Sequence, residues 1–334
     1  MKTNISHFSR VALAVALTAV ISLGASLPAL AADTATSWVT LGTNSGPIPN
    51  PQRSEPANLL RSGDQIILVD SGEGAPWQLA KAGVAIGDVQ TIIISHLHFD
   101  HTSGLFAFLS LRYQGINTEP FTIYGPPGTK QTVASLLDAM KPMGEMKSGM
   151  WAWFTTQPED LVKVIELKGG DTFDVGKVKV TAVVNSHFTL EPGSPEAAKF
   201  LSFSYRFDAP DRSIVYTGDT GPSAAVEKLA ANADLFVSEI MDPEIAWAKI
   251  EKARPLPIYM KGPILALARN SILTHFRNEH LSPTEVGELA ARAKVKELVL
   301  THNALPDENI ENAGKEIAVN YKGKFTFAND LDKF

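Results

Sequence analysis

The sequence predicts a layered α/β protein in which one compact domain follows an N-terminal leader. Short apolar runs rich in Val and Ile alternate with turn residues and with longer stretches of helical character. This alternation is typical of strands and helices that follow one another along the chain. No internal repeat and no linker rich in Gly or Ser divides the 334 residues, and one large domain can bury its core at this length.

Seven runs have the length, the β-branched content and the bounding turn residues of buried strands. They are residues 65–70, 91–95, 121–124, 178–184, 213–216, 234–237 and 297–300. Helices are predicted at 102–109, 130–140 and 283–292. Because strand ends in layered α/β proteins are where loops converge on a site, polar residues at these ends should meet at one edge of the sheets. Five such residues are Asp70, His96, His187, Asp219 and His302.

The first 31 residues have the pattern of a secretory signal peptide. Lys2 and Arg10 precede a long apolar run, and residues 29–31, Ala-Leu-Ala, form a small-x-small cleavage site. An uncleaved membrane anchor is the alternative, because the apolar run approaches spanning length. We expect cleavage, which leaves residues 32–334 as one domain, periplasmic or secreted and without membrane contact.

Composition limits the partners and metals that the chain can bind. It carries 30 Lys and Arg residues against 36 Asp and Glu residues, and loss of the leader moves the net charge from −6 to −8. A negative chain gains nothing electrostatically from a polyanion, so we expect no nucleic-acid partner. The sequence contains no Cys. Disulfides, thiolate metal sites and Cys nucleophiles are therefore excluded, and any metal must be held by His, Asp or Glu.

Residues 95–101 read SHLHFDH and place three of the eight histidines beside an aspartate. In extended backbone His96 and His98 point to the same side, because side chains alternate with period two. Asp100 and His101 come at the turn into a predicted helix and can point the other way. One short segment can thus offer two ligands to each of two metal ions, which two-metal hydrolases hold about 3.5–4 Å apart.

Solvent-exposed histidines without a metal are the alternative interpretation. We accept it for His7, in the leader, and for His275. Imidazoles crowded as in residues 95–101 repel one another once protonated and cost free energy to bury. This block therefore predicts a metal site.

The run His96-Leu97-His98-Phe99-Asp100-His101 resembles the His-x-His-x-Asp-His motif of the metallo-β-lactamase fold superfamily. Asp70, His187, Asp219 and His302 resemble, in chain order, the first, third, fourth and fifth motifs of that superfamily. The resemblance implies an αββα four-layer sandwich. It implies one zinc ion on His96, His98 and His187, and a second on Asp100, His101 and His302. It also implies that Asp219 bridges the two ions and that Asp70 holds the ligand loop.

Two bound cations lower the pKa of a shared water, so that hydroxide can attack a carbonyl, phosphorus or sulfur centre near neutral pH. Asp100 can accept the hydrogen bond of this nucleophile while it ligates. We expect two Zn²⁺ per chain, and the nitrogen and oxygen ligands also suit Mn or Fe. An iron redox branch of the superfamily carries Glu where this chain has His98, so hydrolysis is favoured over electron transfer.

Four segments resemble the branch that holds tRNase Z, metal-dependent arylsulfatases and cyclic-nucleotide phosphodiesterases. They are residues 41–49, 70–74, 123–129 and 280–286. The resemblance implies that His280 lies near the metals and protonates a leaving oxygen, a role worth ~10²–10⁴ in rate. The alternatives are that His280 caps the following helix or pairs with Glu279.

Within that branch tRNase Z fits less well, because its RNA-gripping arm is inserted between the third and fourth motifs. His187 and Asp219 are only 32 residues apart in this chain. We therefore expect an exported dinuclear-zinc hydrolase of small esters, aryl sulfates or phosphodiesters. A lactonase or β-lactamase is the alternative among enzymes. An exported metal- or partner-binding module without catalysis is the alternative from another class, and a homo-oligomer remains open.

Two segments could shape the pocket. The first, 140–154, is rich in Met and Trp, and its Pro142 and Gly144 predict against a regular helix there. The segment could form an adaptable wall or lid of the pocket. The alternatives are a loop packed on the core and a dimer contact. The second, 242–279, could close over the site. Its Arg254 or Arg277 could meet a sulfate or phosphate, and solvated surface is the alternative for each. The residues singled out in the first segment are Met140, Met143, Met146, Met150, Trp151 and Trp153.

Overall fold

Two β-sheets form the centre of the protein. The computed structural model describes residues 35–146, 156–253 and 262–334. The first sheet contains, in spatial order, β1 Ser37–Gly42, β2 Ala57–Ser62, β3 Gln65–Val69, β4 Thr91–Ile93, β5 Phe121–Gly125 and β6 Val162–Glu166. The second contains, in spatial order, β13 Lys324–Phe327, β12 Glu297–Asn303, β11 Leu235–Ile240, β10 Ser213–Tyr216, β9 Phe203–Asp208, β8 Val178–Val184 and β7 Thr172–Val175.

The helices follow the strands in chain order. They are α1 Ala75–Lys81, α2 Phe99–Thr102, α3 Leu105–Gln114, α4 Thr129–Gly144, α5 Pro195–Lys199, α6 Ala224–Leu229, α7 Pro243–Ala253, α8 Pro263–Glu279, α9 Pro283–Ala293 and α10 Ile310–Asn320. Ser282 caps α9 through a reciprocal pair of hydrogen bonds with Glu285, which satisfies amide groups that the first turn would leave unpaired.

Three hydrophobic clusters separate four layers. The central cluster lies between the sheets and joins Trp38 and Ile67 of the first sheet to Tyr205 and Val237 of the second. A second cluster packs α1, α3 and α4 on the outer face of the first sheet. A third packs α6, α9 and α10 on the outer face of the second sheet. This helix–sheet–sheet–helix order confirms the predicted αββα sandwich.

All seven predicted strands correspond to strands of the structure. The predictions for 178–184 and 213–216 match β8 and β10 at both ends, and β12 extends three residues beyond the predicted 297–300. The remaining strands were not predicted: β1 and β6 are the edge strands of the first sheet, β2 pairs with β1, β13 is an edge strand of the second sheet, and β7 and β9 flank β8.

The prediction against a regular helix near Pro142 is wrong, because α4 continues to Gly144. Pro142 lies in the last turn, so its missing amide removes one hydrogen bond where the ladder is about to end. Met140 is buried in the core on α4, whereas Met143 and Met146 are largely exposed. Met150, Trp151 and Trp153 lie outside the described residues.

The predicted signal peptide, including His7, also lies outside the described residues. Cleavage and export therefore stay predictions. In the described part of the chain, no helix has both the length and the hydropathy that a membrane span requires.

Candidate metal centre

The predicted ligands lie together at the carboxyl ends of strands from both sheets. His96, His98 and His101 lie on the loop that follows β4 and on α2, and Asp100 lies between them in the first turn of α2. His187 follows β8, Asp219 follows β10 and His302 ends β12. The chain thus places all seven predicted ligands at one edge, as expected from their positions after strands.

The first donor group joins three imidazoles to one carboxylate. One ligand atom from each of His96, His98, His187 and Asp219 lies within 4.8 Å of the others. His187 Nε2 is 3.1 Å from His98 Nδ1. Asp219 Oδ2 is 3.9 Å from both His96 Nε2 and His187 Nε2.

The second donor group shares Asp219 with the first. Its other members are Asp100, His101 and His302, again within 4.8 Å of one another. Asp219 Oδ1 lies 3.2 Å from His101 Nε2, and Asp219 Oδ2 lies 3.3 Å from His302 Nε2. The two oxygens of one buried carboxylate therefore face two donor groups, which is the geometry that a bridging ligand requires.

Buried polar atoms without partners show that these groups fit metal ions. His96 Nε2, His101 Nε2 and Asp219 Oδ1 are buried, and none has a hydrogen-bond partner among the described residues. Unpaired buried polar atoms cost free energy unless something satisfies them. Nitrogen and oxygen donors in this number suit zinc. The donor set therefore fits two cations, one in each group.

Asp70 orients the ligand loop from behind, as the resemblance implied. Its Oδ2 lies 2.8 Å from His101 Nδ1 and accepts a hydrogen bond from Tyr216 Oη at 2.8 Å. Its Oδ1 accepts from the Ser95 amide at 2.7 Å. A carboxylate on the remote ring nitrogen fixes which nitrogen of His101 faces the site. His187 is oriented in the same way by the Glu279 carbonyl, 3.0 Å from Nδ1.

Burial and the nearby carboxylates shift the pKa values of the site's histidines in opposite directions. Burial would lower the pKa of His101, but Asp219, Asp100 and Asp70 raise it well above its usual range. Burial lowers the pKa of His187 to about 3. Metal ligation requires neutral imidazole, so a cation bound here would displace protons from the histidines nearest the carboxylates.

Glu239 is a site residue that the sequence analysis missed. It lies within β11, is buried, and places Oε2 2.7 Å from His280 Nδ1. Burial, reinforced by the charge of Asp219, raises the pKa of Glu239 well above its usual range. Burial lowers the pKa of His280 to about 4. The position of Glu239 near the end of a predicted strand was the signal that could have found it.

His280 adopts neither of the alternative roles considered for it. Ser282 is the cap of α9, and Glu279 bonds His275 Nδ1 at 2.5 Å and the Thr189 amide at 3.1 Å. His280 instead lines a cleft of about 260 Å³ together with Asp100, Asp219 and His302. It therefore borders the same space as three of the predicted metal ligands.

The helices of the 242–279 segment also contribute to this cleft. His275 and Phe276, near the end of α8, line it. The His275 side chain is 39% exposed and belongs to none of the donor groups found among the described residues, as expected of a surface histidine, although it borders the site. Arg277 bonds Glu244 Oε1 at 2.7 Å and is therefore already paired. Arg254 lies outside the described residues.

Fold and donor set together define a metallo-β-lactamase fold protein. Residues 65–303 match the family model described as "Beta-lactamase superfamily domain", and the chain belongs to this superfamily. A more particular likeness comes from relatives named Ribonuclease Z. The one from Mycobacterium avium is 31% identical over 265 residues, which cover 78% of this chain and 84% of the relative.

Solved structures share the fold at lower identity. Human tRNase Z, short form, superposes with a TM-score of 0.58 at 22% identity, covering 89% of this chain and 98% of that one. Zinc-bound PqqB from Methylobacterium extorquens superposes with a TM-score of 0.61 at 16% identity, covering 89% and 99%.

The relatives named Ribonuclease Z overturn two predictions. The expectation of a hydrolase of small esters is wrong, and so is the exclusion of a nucleic-acid partner. The exclusion of nucleic acid relied on the net charge of the whole chain. The preference for small esters relied on the short spacing between His187 and Asp219. Net charge does not describe the potential inside a cleft that holds metal ions, and the spacing excludes only an inserted arm at that point.

Proposed function

We propose that the chain is a two-zinc hydrolase that cleaves phosphodiester bonds of RNA. The observation that carries the proposal is the pair of donor groups joined by Asp219, with the Glu239–His280 pair on the wall of the same cleft. The relatives named Ribonuclease Z support the choice of RNA. The zinc-bound PqqB neighbour supports zinc as the metal.

The site would hold one ion on His96, His98 and His187 and a second on Asp100, His101 and His302, with Asp219 shared. When bound, such cations lower the pKa of a water molecule and stabilise negative charge on a phosphoryl oxygen. Asp100 has an additional role as acceptor of the attacking water's hydrogen bond. Its side chain is 13% exposed and borders the cleft, so it is accessible from the substrate side.

Local charge favours a phosphate group although the chain is acidic. Two divalent cations would carry four positive charges. The two donor groups contain only two carboxylates to oppose them, those of Asp100 and Asp219. The cleft floor would then be net positive. A focused positive potential attracts a phosphodiester regardless of the net charge of −6.

Glu239 and His280 form a pair that can deliver a proton to the leaving oxygen. Their opposed pKa shifts favour a neutral carboxyl on Glu239 that donates to His280 Nδ1. The other ring nitrogen then carries its proton toward the cleft. As that proton passes to the leaving oxygen, the Glu239 proton moves to Nδ1. The imidazole ends neutral, and the charge ends on Glu239.

Cleavage of RNA by the zinc-loaded chain tests the proposal. A tRNA transcript with a 3′ extension, bis-p-nitrophenyl phosphate, p-nitrophenyl sulfate and a lactone are offered in parallel. We expect cleavage of the transcript and of the phosphodiester, with slower or undetectable turnover of the sulfate ester and lactone. The reason is that the two cations and the Glu239–His280 pair are arranged for a phosphoryl centre with a poor leaving group.

Contaminating ribonucleases are excluded by an Asp219→Asn preparation purified in the same way, which should leave the transcript intact. A chelator should stop cleavage, and added zinc should restore it. If the zinc-loaded chain hydrolysed only the lactone or the sulfate ester, the proposal of a phosphodiester hydrolase would be wrong.

A further inference from the structure

A second, larger cavity adjoins the metal centre. It has a volume of about 580 Å³ and shares His98 as a wall with the cleft that contains His280. This volume lies within the range of about 300–1,000 Å³ typical of small-molecule sites. His98 thus separates two spaces, and a substrate held at the metals can extend into both.

The cavity is lined mainly by aromatic and aliphatic side chains. The Phe188 ring lies 5.3 Å from the His98 ring, centre to centre. Phe200, the residue directly after α5, is 49% exposed. Leu97, Leu136 and Leu201 complete the apolar wall.

Polar groups occupy one face and the rim. Gln131, Thr132 and Ser135 of α4 line the cavity together, since residues three and four apart share a helix face. Lys199 lies at the cavity with its Nζ 5.1 Å from the Phe200 ring centre. Aromatic rings, amide and hydroxyl groups, and one cation at the rim match the flat faces, polar edges and phosphates of a nucleotide.

We propose that this cavity binds the nucleoside on the retained side of the scissile phosphate, with its base against Phe200 and Phe188. The inference rests on the proposed function. His280 lies in the other space, so the leaving half of the substrate occupies the cleft beside it. In an in-line displacement the retained half stays bonded to the phosphorus. It extends to the side of the line that joins the attacking and leaving oxygens, toward His98. Lys199 is placed to meet the next phosphate along the strand.

Two esters with the same leaving group isolate this subsite. Thymidine 5′-p-nitrophenyl phosphate and methyl p-nitrophenyl phosphate both release p-nitrophenolate, and they differ only in the retained half. We expect kcat/KM to be higher for the nucleoside ester by about 10-fold or more, the scale of one base–aromatic stack. Phe200→Ala should reduce this ratio by about 10-fold through KM. Ser135→Trp, which fills the cavity, should do the same.

Equilibrium dialysis of uridine 5′-monophosphate against the zinc-loaded chain supplies a readout independent of turnover. Its affinity should fall in both variants by a factor similar to the change in the ratio. Phe106→Ala serves as the matched control, because Phe106 is a 41% exposed aromatic on α3 outside the cavity. It should leave the ratio and the affinity unchanged.

The outcomes separate this inference from the proposed function. If the wild-type ratio is near one, or if neither cavity variant changes it, the subsite is not in this cavity. Hydrolysis of methyl p-nitrophenyl phosphate would then still support a phosphodiester hydrolase. If the zinc-loaded wild type hydrolyses neither ester, the proposed function fails, and this inference fails with it.

Discussion

Asp219→Asn is expected to lower kcat/KM for phosphodiester hydrolysis by at least about 10³-fold, the upper end of the loss when one electrostatic stabiliser is removed. The Asp219 carboxylate belongs to both donor groups and is 2% exposed. Asparagine keeps the shape of the side chain, but it is neutral and offers only one oxygen. A neutral amide cannot balance two cations in a buried site, so at least one ion should be lost as well.

Metal analysis together with kinetics checks this prediction. The zinc content should fall from two per chain to one or less, and the loss of activity should not be rescued by excess zinc. Asp138→Asn is a matched control, because Asp138 is a 68% exposed carboxylate on α4. An Asp219→Asn protein that retained both ions and most of its activity would contradict the bridging role.

His280→Ala is expected to slow RNA cleavage by about 10²–10⁴-fold, the usual contribution of general acid catalysis. The leaving oxygen of RNA is an alkoxide that needs a proton. p-Nitrophenolate leaves without one, so hydrolysis of bis-p-nitrophenyl phosphate should change far less. Metal content should remain the same, because His280 lies outside the two donor groups that share Asp219, although it forms a third group with Glu239 and His302.

Glu239→Gln should follow the same pattern, since it removes the proton that Glu239 supplies to His280 Nδ1. Single-turnover rates on RNA, with zinc content measured on the same samples, provide the test. Glu288→Gln on α9, whose side chain is 44% exposed, serves as the control. An equal loss on RNA and on the p-nitrophenyl ester would assign His280 to structure or substrate binding rather than to proton transfer.

Much of the site could be predicted because its ligands are local in sequence or follow strands. His96, His98, Asp100 and His101 lie within six consecutive residues, so strand periodicity and the turn into α2 alone divide them between two groups. The distant ligands His187, Asp219 and His302 each follow a run that was predicted to be a strand. The general position of the site therefore followed from β-sheet topology.

Other features depend on tertiary contacts that no local pattern reports. Glu239 comes just after a predicted strand, as several of the ligands do, but only the structure shows that it pairs with His280. Pro142 was tolerated because α4 ends two residues later. The unpredicted strands β1, β6 and β13 each lie at the edge of a sheet.

The prediction about partners failed for an electrostatic reason. Net charge averages over a surface on which Lys and Glu are spread, whereas binding of a phosphodiester depends on the potential at one cleft. Donor groups for two cations determine that potential. Under the proposed function, the His-rich motif was thus a better guide to the charge of the substrate than the composition of the whole chain.

The zinc content of the purified protein is the most direct test of the account, measured by mass spectrometry before and after chelation beside the rate of RNA cleavage. Two zinc ions per chain are predicted, with cleavage lost when they are removed and regained when they return. A chain that held fewer than one equivalent of metal after zinc loading, or that cleaved RNA equally well after chelation, would contradict the two-metal site.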